Sequence, residues 1–290
     1  MVTALGKRTL TLAAMLRLDL ADGTTLAFTD HDRALSVDLG DGAATFYPDT
    51  GILPSDLSLS TGFEADEIEI SGPVVDAATQ PWHVTRAAVI GGRFDGARAR
   101  IFMVDWASLA SGPIRLMQGF VARGEVAGGR FKLTIRSDIS RFEQEVGRII
   151  TAYCDADFGD ARCGATPVTE VATVTSVTDE RSFTVSFISS FVDDFFNRGT
   201  AAFTSGALAG TRPVEIRSFS AAGVIVLFMP LAELPEVGAT LTLRQGCFDP
   251  ATRTSKTRAA CMTFANIANF RGFPDVPGSD QALRYPNPTA

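Results

Sequence analysis

Gly246-Cys247-Phe248-Asp249-Pro250 begins a stretch that runs on through a polar segment to Ala260. It continues as Cys261-Met262-Thr263-Phe264-Ala265-Asn266-Ile267-Ala268-Asn269-Phe270-Arg271-Gly272-Phe273-Pro274 and closes at Pro277-Gly278. Two of the chain's four cysteines stand in it, with thirteen residues between them. The other two, Cys154 and Cys163, lie far upstream with eight residues between them. If all four belong to one site, everything between Cys163 and Cys247 must leave that site and return to it. The intervening residues then form an insertion whose two ends are neighbours.

Working outward, four cysteines with none left over allow two disulfides, four unrelated thiols, or one four-thiolate site. Disulfides suit small secreted domains with insufficient cores. A chain of 290 residues that is 46% hydrophobic does not need them. Scattered cysteines are often plain small core residues. Here, however, all four sit in turn-like contexts: Tyr-Cys-Asp, Arg-Cys-Gly, Gly-Cys-Phe and Ala-Cys-Met. The spacing lacks the C-x2-C pairs of a zinc ribbon. A shared metal site and separate thiols therefore both stand at this point. Four converging thiolates carry four negative charges, and either Zn(II) or a cubane iron–sulfur core of charge +2 leaves −2, so charge does not separate them. Phe158, Phe248, Phe264, Phe270 and Phe273 are candidates for an apolar wall. Arg162, Arg244, Arg253, Arg258 and Arg271 are candidate donors to sulfur, against the alternative of solvated surface.

The segments on either side read as β structure. Thr9–Leu20 mixes helix and strand periods, its last part alternating before an Asp-Gly turn into Thr24–Thr29. Short strands are expected at Leu35–Leu39, Ala44–Tyr47 and Glu67–Ser71, and longer ones at Ala99–Trp106 and Ile114–Arg123. Gly128-Gly129 turns the chain into Phe131–Arg136. A helix is expected over Ile139–Ile150, with Ile139, Phe142, Val146, Ile149 and Ile150 as its apolar stripe. Further strands are expected between residues 168 and 243, with Asp193–Gly199 as a turn or short helix. The expected architecture is mainly β: an N-terminal antiparallel barrel or sandwich (1–136), then a linker helix with the first half of a small four-cysteine domain (137–167). An inserted small β barrel (168–243) and the second half of the four-cysteine domain (244–290) follow.

The net charge of −7 and pI near 4.9 argue against a duplex-binding surface. No apolar run approaches a membrane span, and Arg17 and Asp19 interrupt the apolar part of Met1–Leu20, which is not read as a signal peptide. His31 and His83 are the only histidines. Thr29-Asp30-His31-Asp32 superficially resembles an acid–base cluster, but no Gly-x-Ser-x-Gly elbow, His-Glu-x-x-His helix or phosphate-cradling loop accompanies it. It reads better as a turn whose Asp side chains bond backbone amides, and His83 as a packing or interface residue. No catalytic residues are expected, and the chain is not read as an enzyme. Asn266 and Asn269 could cap backbone near the cysteines or be ordinary turn residues. Gly272 is expected to supply a backbone shape that other residues cannot adopt.

Cys247…Cys261-x-x-Phe264-x-Asn266-x-x-Asn269-Phe270-Arg271-Gly272-Phe273-Pro274 resembles the C-terminal signature of the tail hub proteins of long-tailed phages and gene transfer agents. These are similar in role to the phage lambda tail tip protein L. Phe28-Thr29-Asp30-His31-Asp32-Arg33-x-Leu35 and the block from Leu57 to Gly72 resemble the same family, so the likeness spans nearly the whole chain. It implies a virion component at a tail tip or baseplate, made in the bacterial cytoplasm. It further implies a homotrimeric ring that adapts a six-fold tail to a three-fold tip. The implied neighbours are the distal tail protein ring above, a tip or fibre-bearing hub protein below, and possible tape measure and tail peptidase partners. DNA would be only passing cargo in the channel, and no membrane insertion is implied. A structural [4Fe–4S] cluster on Cys154, Cys163, Cys247 and Cys261 is implied, with Zn as the alternative. The competing function is a soluble iron–sulfur or zinc metalloprotein acting as an electron-transfer protein, enzyme or binding module.

Overall fold

The computed structural model describes residues 11–40, 42–48, 53–54, 66–75, 80, 82–143 and 146–276. The readings that fall on the tail beyond Gly278 lie outside these residues, as does most of the block from Leu57 to Gly72. The chain divides into two compact units, Met1–Glu145 with Ser205–Arg212, and Val146–Thr204 with Pro213–Ala290.

The first unit is a curled antiparallel sheet. Its strands are β1 (Leu12–Asp19), β2 (Thr25–Thr29), β5 (Leu53–Pro54), β6 (Glu67–Pro73), β7 (Arg98–Asp105), β8 (Ile114–Ala127) and β9 (Arg130–Ser137). Their order in the sheet is β2-β1-β7-β8-β9-β6-β5. A separate hairpin pairs β3 (Leu35–Asp38) with β4 (Ala43–Phe46). Bulges between Ile101 and Phe102 and between Val121 and Arg123 break the ladders of β8, and bulges sharpen local twist. The short helix α1 (Arg86–Ile90) is capped by Thr85, whose hydroxyl accepts from the Ala88 amide.

The mixed periodicity of β1 has a physical cause. Ala13 and Met15 pack with Leu35, Val37, Phe46, Phe102 and Val104. Leu16 and Leu18 face the larger core around Phe28, Ile68, Ile70, Phe131, Leu133 and Ile135. The strand is therefore buried on one face at its start and on the other at its end, which blurs a clean two-residue alternation.

At the far end of β1, Asp19 accepts hydrogen bonds from Arg17 Nε at 2.9 Å, Arg100 at 2.8 Å and Thr25 Oγ1 at 3.0 Å. Partial burial alone would raise the carboxyl pKa, but these bonds outweigh it and hold it below its ordinary 3.8. A depressed folded pKa contributes stability above the unfolded value, and that stability is lost as pH falls through the folded pKa. Asp19→Asn should therefore cost about 1 kcal/mol at neutral pH. The gap to wild type should narrow as pH falls below 3.8 and close once pH has passed the lowered folded-state value, where the wild-type carboxyl is also protonated. Urea unfolding at both pH values measures this, and a gap that stays constant with pH would refute it.

The second unit contains a closed barrel of six antiparallel strands, ordered β10-β11-β14-β13-β12-β15. These are β10 (Thr169–Val177), β11 (Ser182–Phe187), β12 (Thr200–Phe203), β13 (Val214–Phe219), β14 (Val224–Leu227) and β15 (Thr240–Arg244). Alternate residues point inward, among them Val174, Phe183, Val185, Ala201, Phe203, Ile216, Ile225, Leu241 and Leu243. The buried Asn197 accepts from the Phe219 amide at 2.7 Å and donates to Asp194 at 2.6 Å, so its amide is satisfied within the fold. The barrel closes where β10 meets β15, and Thr169 and Arg244 are register partners. The first and last residues of the inserted strands thus stand side by side, as a four-cysteine site requires.

The helix expected over Ile139–Ile150 does not form. Asp138–Glu143 is a 3₁₀ segment, and residues 146–150 are non-helical. Phe142, Val146 and Ile149 are all more than 80% exposed. An apolar stripe stabilises a helix only when it is buried, and isolated helices of this length are marginal.

Candidate metal centre

Cys154 and Cys163 lie in a segment without regular secondary structure, organised by Asp160. The Asp160 carboxylate accepts from the amides of Asp157, Arg162 and Cys163, the last at 2.7 Å. The Cys163 amide bond is the largest cause of its lowered pKa. Gly159 sits at φ 83°, and a Cβ there would fall 2.4 Å from Pro167, so this turn needs glycine twice over.

The downstream pair comes from a tighter fold. β16 (Phe248–Asp249) and β17 (Thr254–Ser255) form a small hairpin just after Cys247. Asp249 braces its turn through the Ala251 amide and the Thr252 hydroxyl. The helix α2 (Arg258–Thr263) follows, capped by Thr257, and buries Ala260 and Cys261. Lys256 links the segments through its backbone: the Cys154 amide donates to its carbonyl at 2.8 Å, and its own amide donates to the Cys247 carbonyl at 3.3 Å.

All four cysteines line one small cavity with Ala156, Phe158 and Phe264. All four are free thiols. Cys163 and Cys261 are buried, Cys154 and Cys247 half-buried. The rings of Phe158 and Phe264 meet with centroids 4.6 Å apart and form the apolar wall. A larger neighbouring cleft of about 580 Å³ shares Phe158, Cys247 and Lys256 with this cavity, so Cys247 borders both. Burial, followed by the other three thiols, pushes the Cys261 pKa up to about 11, and burial likewise raises Cys247. Burial thus favours the neutral thiol at both Cys247 and Cys261. Among the described residues, no three His, Cys, Asp or Glu side chains are grouped so as to hold one metal ion.

Two expectations about the surroundings change. Phe248, Phe270 and Phe273 are not among the cavity's lining, and Phe273 instead carries Arg148 over its ring at 4.7 Å. None of the five candidate arginines lines the cavity either. Arg162 pairs with Asp160, Arg271 with Asp155, Arg253 with Asp194 and Arg258 with Asp275. Arg244 donates to the Phe158 carbonyl at 2.6 Å. Guanidinium groups keep their carboxylate partners near water, where their own desolvation costs least. The donor facing sulfur is the Asn266 amide, with Nδ2 at 2.7 Å from the Cys163 carbonyl and 3.5 Å from its Sγ. Asp160 and Lys256 were not singled out from sequence. An aspartate three residues before Cys163 was the available signal for the first; the second acts through backbone and leaves none. Gly272 is needed for close approach, since a Cβ there would lie 2.6 Å from the Ala152 carbonyl; its φ is not positive.

The histidines are placed elsewhere. Asp30 accepts from the Ala14 amide at 2.8 Å, a backbone amide as expected, though one sixteen residues away on β1 rather than within the turn. His31 Nδ1 accepts from the Arg33 amide at 3.1 Å, and its ring lies 5.2 Å from that of Trp106. His83 meets Trp82 edge-on, and Trp82 stacks on Tyr47 at 3.8 Å. His31→Ala should therefore cost no more than about 1–2 kcal/mol, through lost packing and one hydrogen bond. Urea unfolding measures this, and a far larger loss would give His31 a larger role.

Residues 1–166 match the family model described as baseplate hub protein, N-terminal attachment domain. Residues 194–280 match a second, described as phage conserved hypothetical protein BR0599. A chain in the solved virion of a native gene transfer agent (GTA) particle superposes with a TM-score of 0.80 at 27% identity, covering 100% of this chain and 96% of that one. No curated protein matches the chain. Among the described residues no helix is long and apolar enough to cross a membrane.

Proposed function

The chain belongs to the baseplate hub protein family, its residues 1–166 carrying the N-terminal attachment domain, and from that premise we propose a structural hub at the tail tip of a phage-like particle. The match over more than half the chain is the observation that carries this reading. The likeness along the full chain to a component of a gene transfer agent virion supports the same location. The role is mechanical: three copies form a ring joining a six-fold tail, through the distal tail protein ring, to a three-fold tip or fibre-bearing protein, with DNA passing through its centre. Long antiparallel sheets suit this task, because their edges and exposed apolar side chains can be covered by neighbouring copies.

In this reading Cys154, Cys163, Cys247 and Cys261 hold a [4Fe–4S] cluster that ties segments far apart in sequence. The donor set fits in kind, being four sulfurs lining one partly apolar cavity. A tetrahedral zinc with Zn–S near 2.3 Å would draw the sulfurs to about 3.8 Å from one another. A cubane, whose ligands sit on separate irons, accepts a wider set. Iron and sulfide content separates the two. Bound there, the group would supply cross-linking free energy to the fold.

The test is iron and acid-labile sulfide analysis of particles purified without oxygen, combined with a reconstruction of the tail tip. Iron, sulfide and three copies per tip are expected. Zinc without sulfide would overturn the cluster, and six copies would overturn the three-fold ring.

A further inference from the structure

The chain leaves α2 at Ala265, which adopts φ 51°, a left-handed turn that non-glycine residues rarely take. That turn brings Asn266 back over the cysteines. Its amide donates to the Cys261 carbonyl at 3.2 Å, a bond that holds in either protonation state of the cysteine, and its carbonyl accepts from Cys261 Sγ at 3.1 Å while that thiol carries its proton. Its side chain crosses to the other half of the site, 103 residues away in sequence, and donates to the Cys163 carbonyl at 2.7 Å, with Sγ at 3.5 Å. One residue thus bonds to both buried cysteines. Asn269 Nδ2 donates to Asn266 Oδ1 at 2.7 Å. An Asn amide has one acceptor end and one donor end. With Oδ1 engaged by Asn269 and a carbonyl at Cys163 demanding a donor, both contacts select the same orientation.

We propose that Asn266 is a positioning residue that clasps Cys163 to Cys261 and directs an N–H at the Cys163 sulfur, and that Asn269 sets the direction of that amide. This rests on the four-thiolate reading above. A donor aimed at a ligand sulfur favours the more negative, reduced state of a bound cluster. The clasp also shields the Cys163 thiol whether or not a cluster is present.

The experiment uses the full chain, purified without oxygen, as wild type, Asn266→Asp, Asn266→Ala and Asn269→Ala. Far-UV circular dichroism establishes that each is folded. A spectroscopic redox titration should place the Asn266→Asp equilibrium at least tenfold towards the oxidised form, about 59 mV for one electron. Asn269→Ala should move it less in the same direction. Iodoacetamide labelling resolved by mass spectrometry should raise modification of Cys163 relative to Cys154 severalfold in Asn266→Ala. Folded variants whose potentials and labelling ratios equal wild type would overturn the proposal. Should Asn266→Asp not fold, Asn269→Ala, which touches neither sulfur, decides by the same two readouts. A wild-type chain without iron would remove the cluster reading, and the labelling ratio would still decide the role of Asn266.

Discussion

Under the proposed cluster assignment, Cys261→Ser is expected to abolish iron binding and leave particles that are tailless or non-infectious. Cys261 is buried on α2 and bonded to Asn266, so the substitution changes the centre of the site rather than its edge. Serine fits the space, but its hydroxyl is neither readily ionised nor a soft donor for iron, and three thiolates cannot complete the set. Metal-binding free energy at structural sites is folding free energy, on the order of 10 kcal/mol, so its loss exceeds what a marginally stable domain can absorb. Titre, electron microscopy of tails and iron per particle measure the outcome. Normal particles that still contain iron would defeat the ligand assignment. His31 offers the contrast: the sequence sets it in an Asp-His-Asp cluster, yet only Cys261 is placed with its fellow candidates.

Gly246→Ala is expected to lower stability by about 3 kcal/mol or more without touching a cysteine. A Cβ on Gly246 would lie 2.2 Å from the backbone carbon and oxygen of Arg198 and 2.4 Å from the Gly199 nitrogen. In return, a Cβ on Gly199 would lie 2.0 Å from the Arg244 carbonyl oxygen. Backbone meets backbone on both sides, so no side-chain rotation relieves the clash. The two glycines let the segment entering β12 cross the segment leaving β15 at the point where the barrel delivers the chain to Cys247. The melting temperature should fall on the order of 10 °C, and iron retention should fall with it. Gly147→Ala, where a Cβ meets nothing within 4 Å, is the control. A Gly246→Ala chain melting within about 1 °C of wild type would show that the crossing is looser than the geometry requires.

The β character, the strand runs of both units and the inserted barrel were legible because period-two alternation and Asp-Gly or Gly-Gly turns are local signals. The helix over Ile139–Ile150 was misread because periodicity states what could be buried, not whether anything buries it. Phe142, Val146 and Ile149 stand exposed, and without a packed face the helical pattern has no energetic support. The donors around the cysteines were misassigned for a related reason. Arginines near a cysteine in sequence look like partners, yet four of them found carboxylates in the fold.

By itself the sequence determined that this is a β-rich chain with four cysteines in two distant pairs, and its signature stretches pointed to the tail hub family. Only the tertiary structure decided that the four thiols line one cavity, that Thr169 and Arg244 close the barrel side by side, and that Asn266 spans the site. Turn and strand preferences act over a few residues. Bringing Cys163 to Cys261 depends on a barrel closing and two glycines allowing a crossing, which are properties of the packed chain.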